Sequence, residues 1–293
     1  MPELPDITVY IEALNARILH QRLIALAVLN PFVLRTFDPP IAEASGREVV
    51  EVGRIGKRIV IGLEGELFIV IHLMIAGRLR WLPAGKAAPK KLSLATFAFH
   101  TGTLVLTEAG TTRRASLSLV RGREALSQMD RGGLDVFASD FSAFAARLRS
   151  ENHTLKRSLT DPRLFDGIGN AYSDEILHRA RLSPVALSGR ISDDDALRLY
   201  DATRVVLREW TDRLRAETGD KFPERVTAFR PEMAVHGKYR QPCPVCGTPV
   251  QRIRYASNET DYCARCQTNG KLLADRGLSR LLKQDWPKSV DDL

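Results

Sequence analysis

Cys243-Pro-Val-Cys246 and Cys263-Ala-Arg-Cys266 hold all four cysteines of the 293-residue chain, and sixteen residues separate the two pairs. Each pair fits a tight turn. Two such turns at this distance converge four sulfurs on one tetrahedral ion. A complete thiolate set leaves no open coordination position, so the expected Zn2+ is a single ion with a structural task. Two disulfides or a redox CxxC pair are the alternatives. No secretory leader is read ahead of the chain, so the thiols are expected to stay reduced in the cytosol, which favours the metal.

Outward from the cysteines, composition narrows the class. Hydrophobic residues make up 44% of the chain, enough for buried cores, and the length suits two domains plus a small appendage. The longest apolar runs, such as Leu67-Phe-Ile-Val-Ile71, are too short to span a bilayer. A formal charge of +8 beside a zinc module points to polyanions, nucleic acid first.

Hydrophobic periodicity predicts a helix over 6–20, with Asp6 as its cap and Ile7, Tyr10, Ile11, Leu14 and Ile18 at helical spacing. From about 22 to 120 the texture is that of strands: 23–29, 58–62, 67–72, 92–99 and 103–107, separated by Gly- and Pro-bearing turns as in a β-sandwich. The stretch 121–139, with Gly122, Gly132 and Gly133, reads as a linker. Helical patterns run from Asp140 to about Glu217, a loop with Pro223 and Pro231 follows, and the zinc hairpin occupies 240–270. A last amphipathic stretch covers 271–285. The fold class is therefore α+β and multidomain, divided at 1–133, 134–236, 237–270 and a helical extension 271–293.

Chemistry concentrates at two places. The chain opens Met1-Pro-Glu-Leu-Pro-Asp6. Loss of the initiator methionine would expose Pro2 as a secondary amine just ahead of a helix, whose positive end disfavours the ammonium form. Such an amine can attack a sugar C1′ and form an iminium, with Glu3 handling the protons. On these residues alone, a helix lead-in with a solvated carboxylate is the plainer reading. The second place is Asp161-Pro-Arg-Leu-Phe-Asp-Gly-Ile-Gly-Asn170, a glycine turn running into a helix over 171–181. Its free N–H groups suit a phosphate, and Lys156 and Arg157 lie just upstream. A plain packing corner between helices reads the same.

Pro-Glu-Leu-Pro at the N-terminus, Gly56-Lys57, the Gly-Ile-Gly-Asn corner and the zinc hairpin, in that order and at these distances, resemble the Fpg/Nei family of DNA glycosylases. The resemblance covers about residues 1–270. It implies an N-terminal β-sandwich carrying the N-terminal helix, a helix-two-turn-helix domain and a zinc hairpin, with damaged double-stranded DNA held in the cleft. It implies attack of the Pro2 amine on C1′ of a flipped nucleotide, a Schiff-base intermediate, proton transfers by Glu3, and β,δ-elimination. Lys57 matches the family's active-site lysine. Asn170 matches the asparagine that binds phosphate beside the lesion, and Lys156 adds a phosphate contact.

Several positions depart from the family pattern. Ile75, next to Met74, falls where a methionine wedges into the gap left by the flipped base. Arg113-Arg114-Ala115 stands where Arg-Arg-Phe supports the orphaned base, so the aromatic wedge is missing while Arg114 can still prop the base. At the hairpin tip Asn258 replaces a bidentate arginine clamp, with Arg252 and Arg254 nearby as compensation. The segment 219–236, a lid in some members, is short here and carries Lys221, Arg225 and Arg230. Beyond Cys266, Leu272, Leu273, Leu278, Leu281 and Leu282 are expected to pack on the body. The preferred reading is a bifunctional DNA glycosylase/AP lyase for oxidised bases. An AP-site lyase with faded base release and a noncatalytic binder of distorted duplex are the alternatives. The chain is expected to be a cytoplasmic bacterial monomer, nucleoid-associated when bound to DNA, with one zinc and no other cofactor.

Overall fold

The apolar run Leu67-Phe-Ile-Val-Ile71 is a strand buried on both faces, and the fold of the N-terminal half follows from that. In the computed structural model, which describes residues 1–89, 91–109, 112–224, 226–227, 229–255, 258–274 and 287–292, this run is β4 (Leu67–His72). It pairs antiparallel with β3 (Arg58–Leu63) and with β8 (Ser116–Arg121), and β2 (Val49–Ile55) completes a sheet ordered β2-β3-β4-β8. Ile59, Ile61, Ile69 and Ile71 face the main core. Val60, Phe68 and Val70 face outward and are covered by Leu126 and Met129, from the short helix α2 (Arg123–Ser127) and the turn after it. A strand covered on both sides has no polar face to alternate with, so it reads as a continuous apolar run.

The opposing sheet comprises β1 (Ala25–Val28), β5 (Gly77–Pro83), β6 (Ser93–Phe99) and β7 (Gly102–Glu108), ordered β1-β6-β7-β5 with every pairing antiparallel. Leu79, Phe97, Leu104 and Leu106 meet the isoleucines of β3 and β4 in one core. The N-terminal helix α1 spans Leu4–Ile18 and buries Ile7, Tyr10, Leu14 and Ile18 in the same core.

Three local expectations shift. The helix starts earlier than Asp6: Glu3 is the N-cap, and Asp6, at N3, accepts the Glu3 N–H at 3.0 Å, which makes a reciprocal capping box. Three strands of the sandwich (β2, β5 and β8) lie outside the expected set, and the expected linker over 121–139 contains α2.

The helical segment contains α3 (Phe141–Arg149), capped by the Asp140 carboxylate, α4 (Leu155–Thr160), capped by Thr154, α5 (Asn170–Arg179) and the long α6 (Asp193–Thr218). Phe144 and Phe165 pack with ring centroids 4.8 Å apart at its centre. The zinc segment contributes the hairpin β9 (Gln251–Tyr255) and β10 (Asn258–Tyr262), followed by α7 (Ala264–Thr268). By internal contact the chain forms two units, Met1–Arg131 with Trp210–Thr227 and Gly132–Glu209 with Ala228–Leu293. Of the expected C-terminal helix, 275–286, with Leu278, Leu281 and Leu282, lies outside the described residues, as does Arg225. Leu272 is buried against Ile253, Tyr262 and Ala264, and Lys271 forms an isolated bridge with Ser289. Among the described residues no helix is long and apolar enough to cross a membrane.

Candidate functional sites at the N-terminus and the zinc hairpin

Pro2 and Glu3 are buried at the start of α1, and Glu3 is only 2% exposed. In this chain the amine belongs to Met1. Burial pushes it below the usual amine range; the carboxylates of Glu3 and Asp6 oppose this, while the charges of Arg78 and Lys57 reinforce it. Desolvation is thus the main cause of the shift, ahead of the charges around it. The direction is the one a nucleophilic amine needs.

Lys57 sits on the two-residue turn between β2 and β3, in register after the pair Ile55–Arg58. Gly56 ahead of it has φ +59, a left-handed value that a hairpin turn of this length demands. His72, at the end of β4, is held down to about 4 by burial, with the charges of Arg58, Lys57 and Arg131 adding to it, so its ring is neutral at physiological pH.

The loop after β4 presents Ile75, which is 63% exposed although it is a large apolar residue. The loop is tight. The Gly77 N–H donates to the Leu73 carbonyl, and a Cβ on Gly77 would stand 2.3 Å from that oxygen. Arg78 clamps it from the other side, donating to the carbonyls of Ile75 at 3.0 Å and Gly77 at 2.7 Å. Arg78 was not expected from sequence; its signal is a cation directly after the glycine that closes the exposed apolar turn.

Arg113 donates to the Lys91 carbonyl at 3.2 Å. The buried Glu108 carboxylate accepts the backbone N–H groups of Arg114 and Ala115 at 3.0–3.1 Å. Ala115 itself is 2% exposed and faces the sandwich core. The position therefore offers no surface wedge, while Glu108, also unforeseen, fixes the backbone that carries Arg114.

In the second unit Asn170 is the first residue of α5, and a cavity of about 580 Å³ is lined by Thr154, Lys156, Arg157, Asn170, Ile253 and Thr260 among others. Lys156 reaches this region but is partly committed. Its ammonium donates to the Asn170 carbonyl and to Asp174 Oδ1, both at 2.6 Å, and Asp174 is fully buried. The other Asp174 oxygen meets His236 Nδ1 at 2.8 Å. The next residue, Glu175, accepts three backbone N–H groups, from Ala234, Val235 and His236, at 2.8–2.9 Å. Burial pushes its carboxyl up and these donors oppose the shift. The end of the expected lid segment is therefore pinned to α5. Asp174, His236 and Asp261 form a buried cluster of potential ligands, but Lys156 and Arg252 already neutralise its carboxylates.

On the hairpin, Arg254 pairs with Glu259 at 3.0 Å and remains 66% exposed, and Arg252 pairs with Glu259 and Asp261. Asn258 opens β10 opposite Tyr255, and its side chain lies outside what is described.

The four cysteines converge. Their Sγ atoms lie within 4.8 Å of one another, with Cys243–Cys266 at 3.9 Å, Cys246–Cys263 at 3.4 Å and Cys246–Cys266 at 3.5 Å. Thiolates about 2.3 Å from a tetrahedral zinc stand about 3.8 Å apart. The separations fit that ion and are far longer than a disulfide of about 2.05 Å. The centre holds one structural Zn2+, and the disulfide alternative falls.

The comparisons agree with this geometry. Residues 1–115 match the family model of the formamidopyrimidine-DNA glycosylase N-terminal domain, 133–217 that of the formamidopyrimidine-DNA glycosylase H2TH domain, and 240–269 that of the zinc finger found in FPG and IleRS. The chain is 35% identical over 279 residues to a formamidopyrimidine-DNA glycosylase of Thermus thermophilus, covering 92% of this chain and all of that one. It is 41% identical over 150 residues to an uncharacterized formamidopyrimidine-DNA glycosylase-like protein of Mycobacterium tuberculosis, covering 51% of this chain and 91% of that one. The solved MutM (FPG) protein of Thermus thermophilus superimposes with a TM-score of 0.76 at 32% identity, over 91% of this chain and 98% of that one. The Lactococcus lactis Fpg in complex with abasic-site DNA shares the fold, with a TM-score of 0.80 at 22% identity over 91% and 99%. The sandwich, the helical corner, the zinc module and these matches together place the chain in the formamidopyrimidine-DNA glycosylase family.

Proposed function

We propose that the chain is a bifunctional DNA glycosylase/AP lyase of base excision repair, acting on double-stranded DNA that carries oxidised bases or abasic sites. The observation that carries this reading is the buried N-terminus, where Pro2 and Glu3 lie at the start of α1 and the charges of Arg78 and Lys57 act on the terminal amine. After loss of Met1, the Pro2 nitrogen attacks C1′ of the flipped nucleotide. The N-glycosidic bond breaks, the base leaves with the bonding pair, and an iminium links protein and sugar. Glu3 moves the protons that open the deoxyribose ring. Loss of a proton at C2′ expels the 3′ phosphate, a second elimination expels the 5′ phosphate, and hydrolysis frees Pro2. Lys57 and Arg78 supply positive charge to the phosphates at the reacting sugar.

The remaining roles follow from position. Ile75 enters the stack as the apolar wedge, and Arg113 and Arg114 support the estranged base. Asn170 contacts backbone phosphate, and Lys156, bonded to the Asn170 carbonyl, adds positive charge to the cavity that both residues line. Arg254 and Asn258 flank the duplex from the hairpin. We assign the chemistry to 1–133, the DNA grip to 134–236 and 237–270, and leave 271–293 as an extension. The protein works as a monomer in the bacterial cytoplasm, at the nucleoid when DNA-bound. Relatives solved with abasic, Fapy-dG and oxidised-pyrimidine DNA define the lesions to test.

Borohydride trapping on duplexes bearing an abasic site, an oxidised purine or an oxidised pyrimidine is the test, with Pro2→Gly alongside. A covalent adduct on a damaged base, absent in Pro2→Gly, is expected. Buried Ala115, which removes the aromatic wedge, favours a second reading as an AP-site lyase; trapping only at the abasic site would select it. No adduct on any substrate would refute both.

A further inference from the structure

One buried side chain next to the zinc centre has no part in the chemistry above. His178, on the last full turn of α5, is 6% exposed, and its Nε2 lies 3.3 Å from Cys243 Sγ. The four zinc ligands have unequal surroundings. Cys246 is exposed and can be hydrated, whereas Cys243 is 2% and Cys263 0% exposed. Four thiolates around one Zn2+ carry a net charge of −2, and a buried thiolate needs a protein donor in place of water. Cys263 has such a donor in the Cys266 N–H at 3.5 Å. For Cys243 the group in that place is His178.

The direction of the bond follows from the chemistry. A metal-bound thiolate carries no proton and can only accept, so the imidazole must present its N–H at Nε2. A second tie runs in parallel: Gln267 accepts the Cys263 N–H at 2.8 Å and donates to the Leu182 carbonyl just beyond α5.

We propose that His178 is a positioning residue of the zinc centre, donating its Nε2–H to the Cys243 thiolate and thereby slowing zinc release. The bond draws electron density from the sulfur, holds it at one vertex of the tetrahedron, and attaches the zinc module to the helix that begins with Asn170. This rests on the zinc reading of the four cysteines.

The experiment uses the full-length zinc protein, with zinc content measured first. His178→Phe keeps an aromatic ring and removes the donor; His178→Gln restores an N–H. In excess chromogenic chelator, His178→Phe is expected to release zinc about tenfold faster than wild type, with His178→Gln between them. In the cobalt-substituted proteins the thiolate-to-metal charge-transfer band should move to longer wavelength in His178→Phe. A merely structural role would not shift that band. Nitrogen-15 NMR of wild type should show the Nε2–H tautomer at His178, a readout that stands even if a variant fails to fold. Equal release rates and band positions in wild type and His178→Phe, or an Nδ1–H ring in a protein holding one zinc, would overturn this proposal alone. A wild-type protein without zinc would overturn the zinc reading and the proposal with it.

Discussion

Lys156→Met tests a deeply buried charge pair. Lys156 Nζ lies 2.6 Å from Asp174 Oδ1, with the lysine side chain 12% exposed and the aspartate 0%. At that separation and an effective dielectric of about 20, the attraction is roughly 6 kcal/mol before desolvation. Removing one partner strands the other as a buried charge, typically at a cost of about 3–5 kcal/mol. Asp174 keeps its contact with His236 Nδ1, so the lower end, about 3 kcal/mol, is expected. At about 2–4 °C per kcal/mol for a unit of this size, Tm falls by roughly 6–12 °C. The same variant frees the Asn170 carbonyl. The assay is thermal and urea unfolding of wild type, Lys156→Met, Asp174→Asn and the double variant. Asp174→Asn leaves no stranded carboxylate, so the double variant should recover at least half of the loss. A Tm drop under about 2 °C in Lys156→Met would refute the reasoning, as would a double variant whose losses simply add.

Three further outcomes are expected. Arg157→Ala, exposed at the mouth of the same cavity, should lower the slope of log K against log salt for duplex binding by about 0.9, one phosphate contact, at unchanged Tm. Ile75→Ala should change stability by less than about 0.5 kcal/mol, because Ile75 is 63% exposed. The same variant should cut kcat/KM on a damaged base about tenfold through loss of the wedge. His72 is depressed from 6.5 to about 4 by burial, so between those values the unfolded chain binds the proton and the native one does not. Stability from this group is complete above pH 6.5 and is lost as pH falls toward 4, by roughly 2–3 kcal/mol, since the ring keeps some solvent contact. His72→Gln should flatten that part of the stability–pH curve, and an unchanged slope in urea titrations from pH 6.5 to 4 would count against it.

Much of the architecture was readable in the sequence because it rests on short-range patterns. Helical spacing marked α1. Asp140 signalled the start of α3, and its carboxylate does accept the Ala143 N–H at 2.8 Å. The apolar run of β4 was legible to the residue. The strands that escaped notice, β5 and β8, alternate apolar residues with Arg or Ser, and β2 bends through a register shift at Val49/Glu51. Such stretches resemble loops until a neighbouring strand supplies their hydrogen bonds. The N-terminal helix began two residues before its expected start because Asp6 caps from inside, by bonding back to Glu3, rather than from the first position.

Spacing named the four cysteines as candidate zinc ligands and order along the chain pointed to the family, while the Sγ separations removed the disulfide alternative. Only the tertiary structure decided which charges and polar groups meet. Lys156 finds Asp174 across 18 residues, Glu108 finds the Arg114–Ala115 backbone across a loop, and His178 finds Cys243 across 65 residues. A chain with 43 basic and 35 acidic side chains allows a great many such pairings. Burial selects among them: a polar group that has lost its water must find the one partner the packing brings within reach.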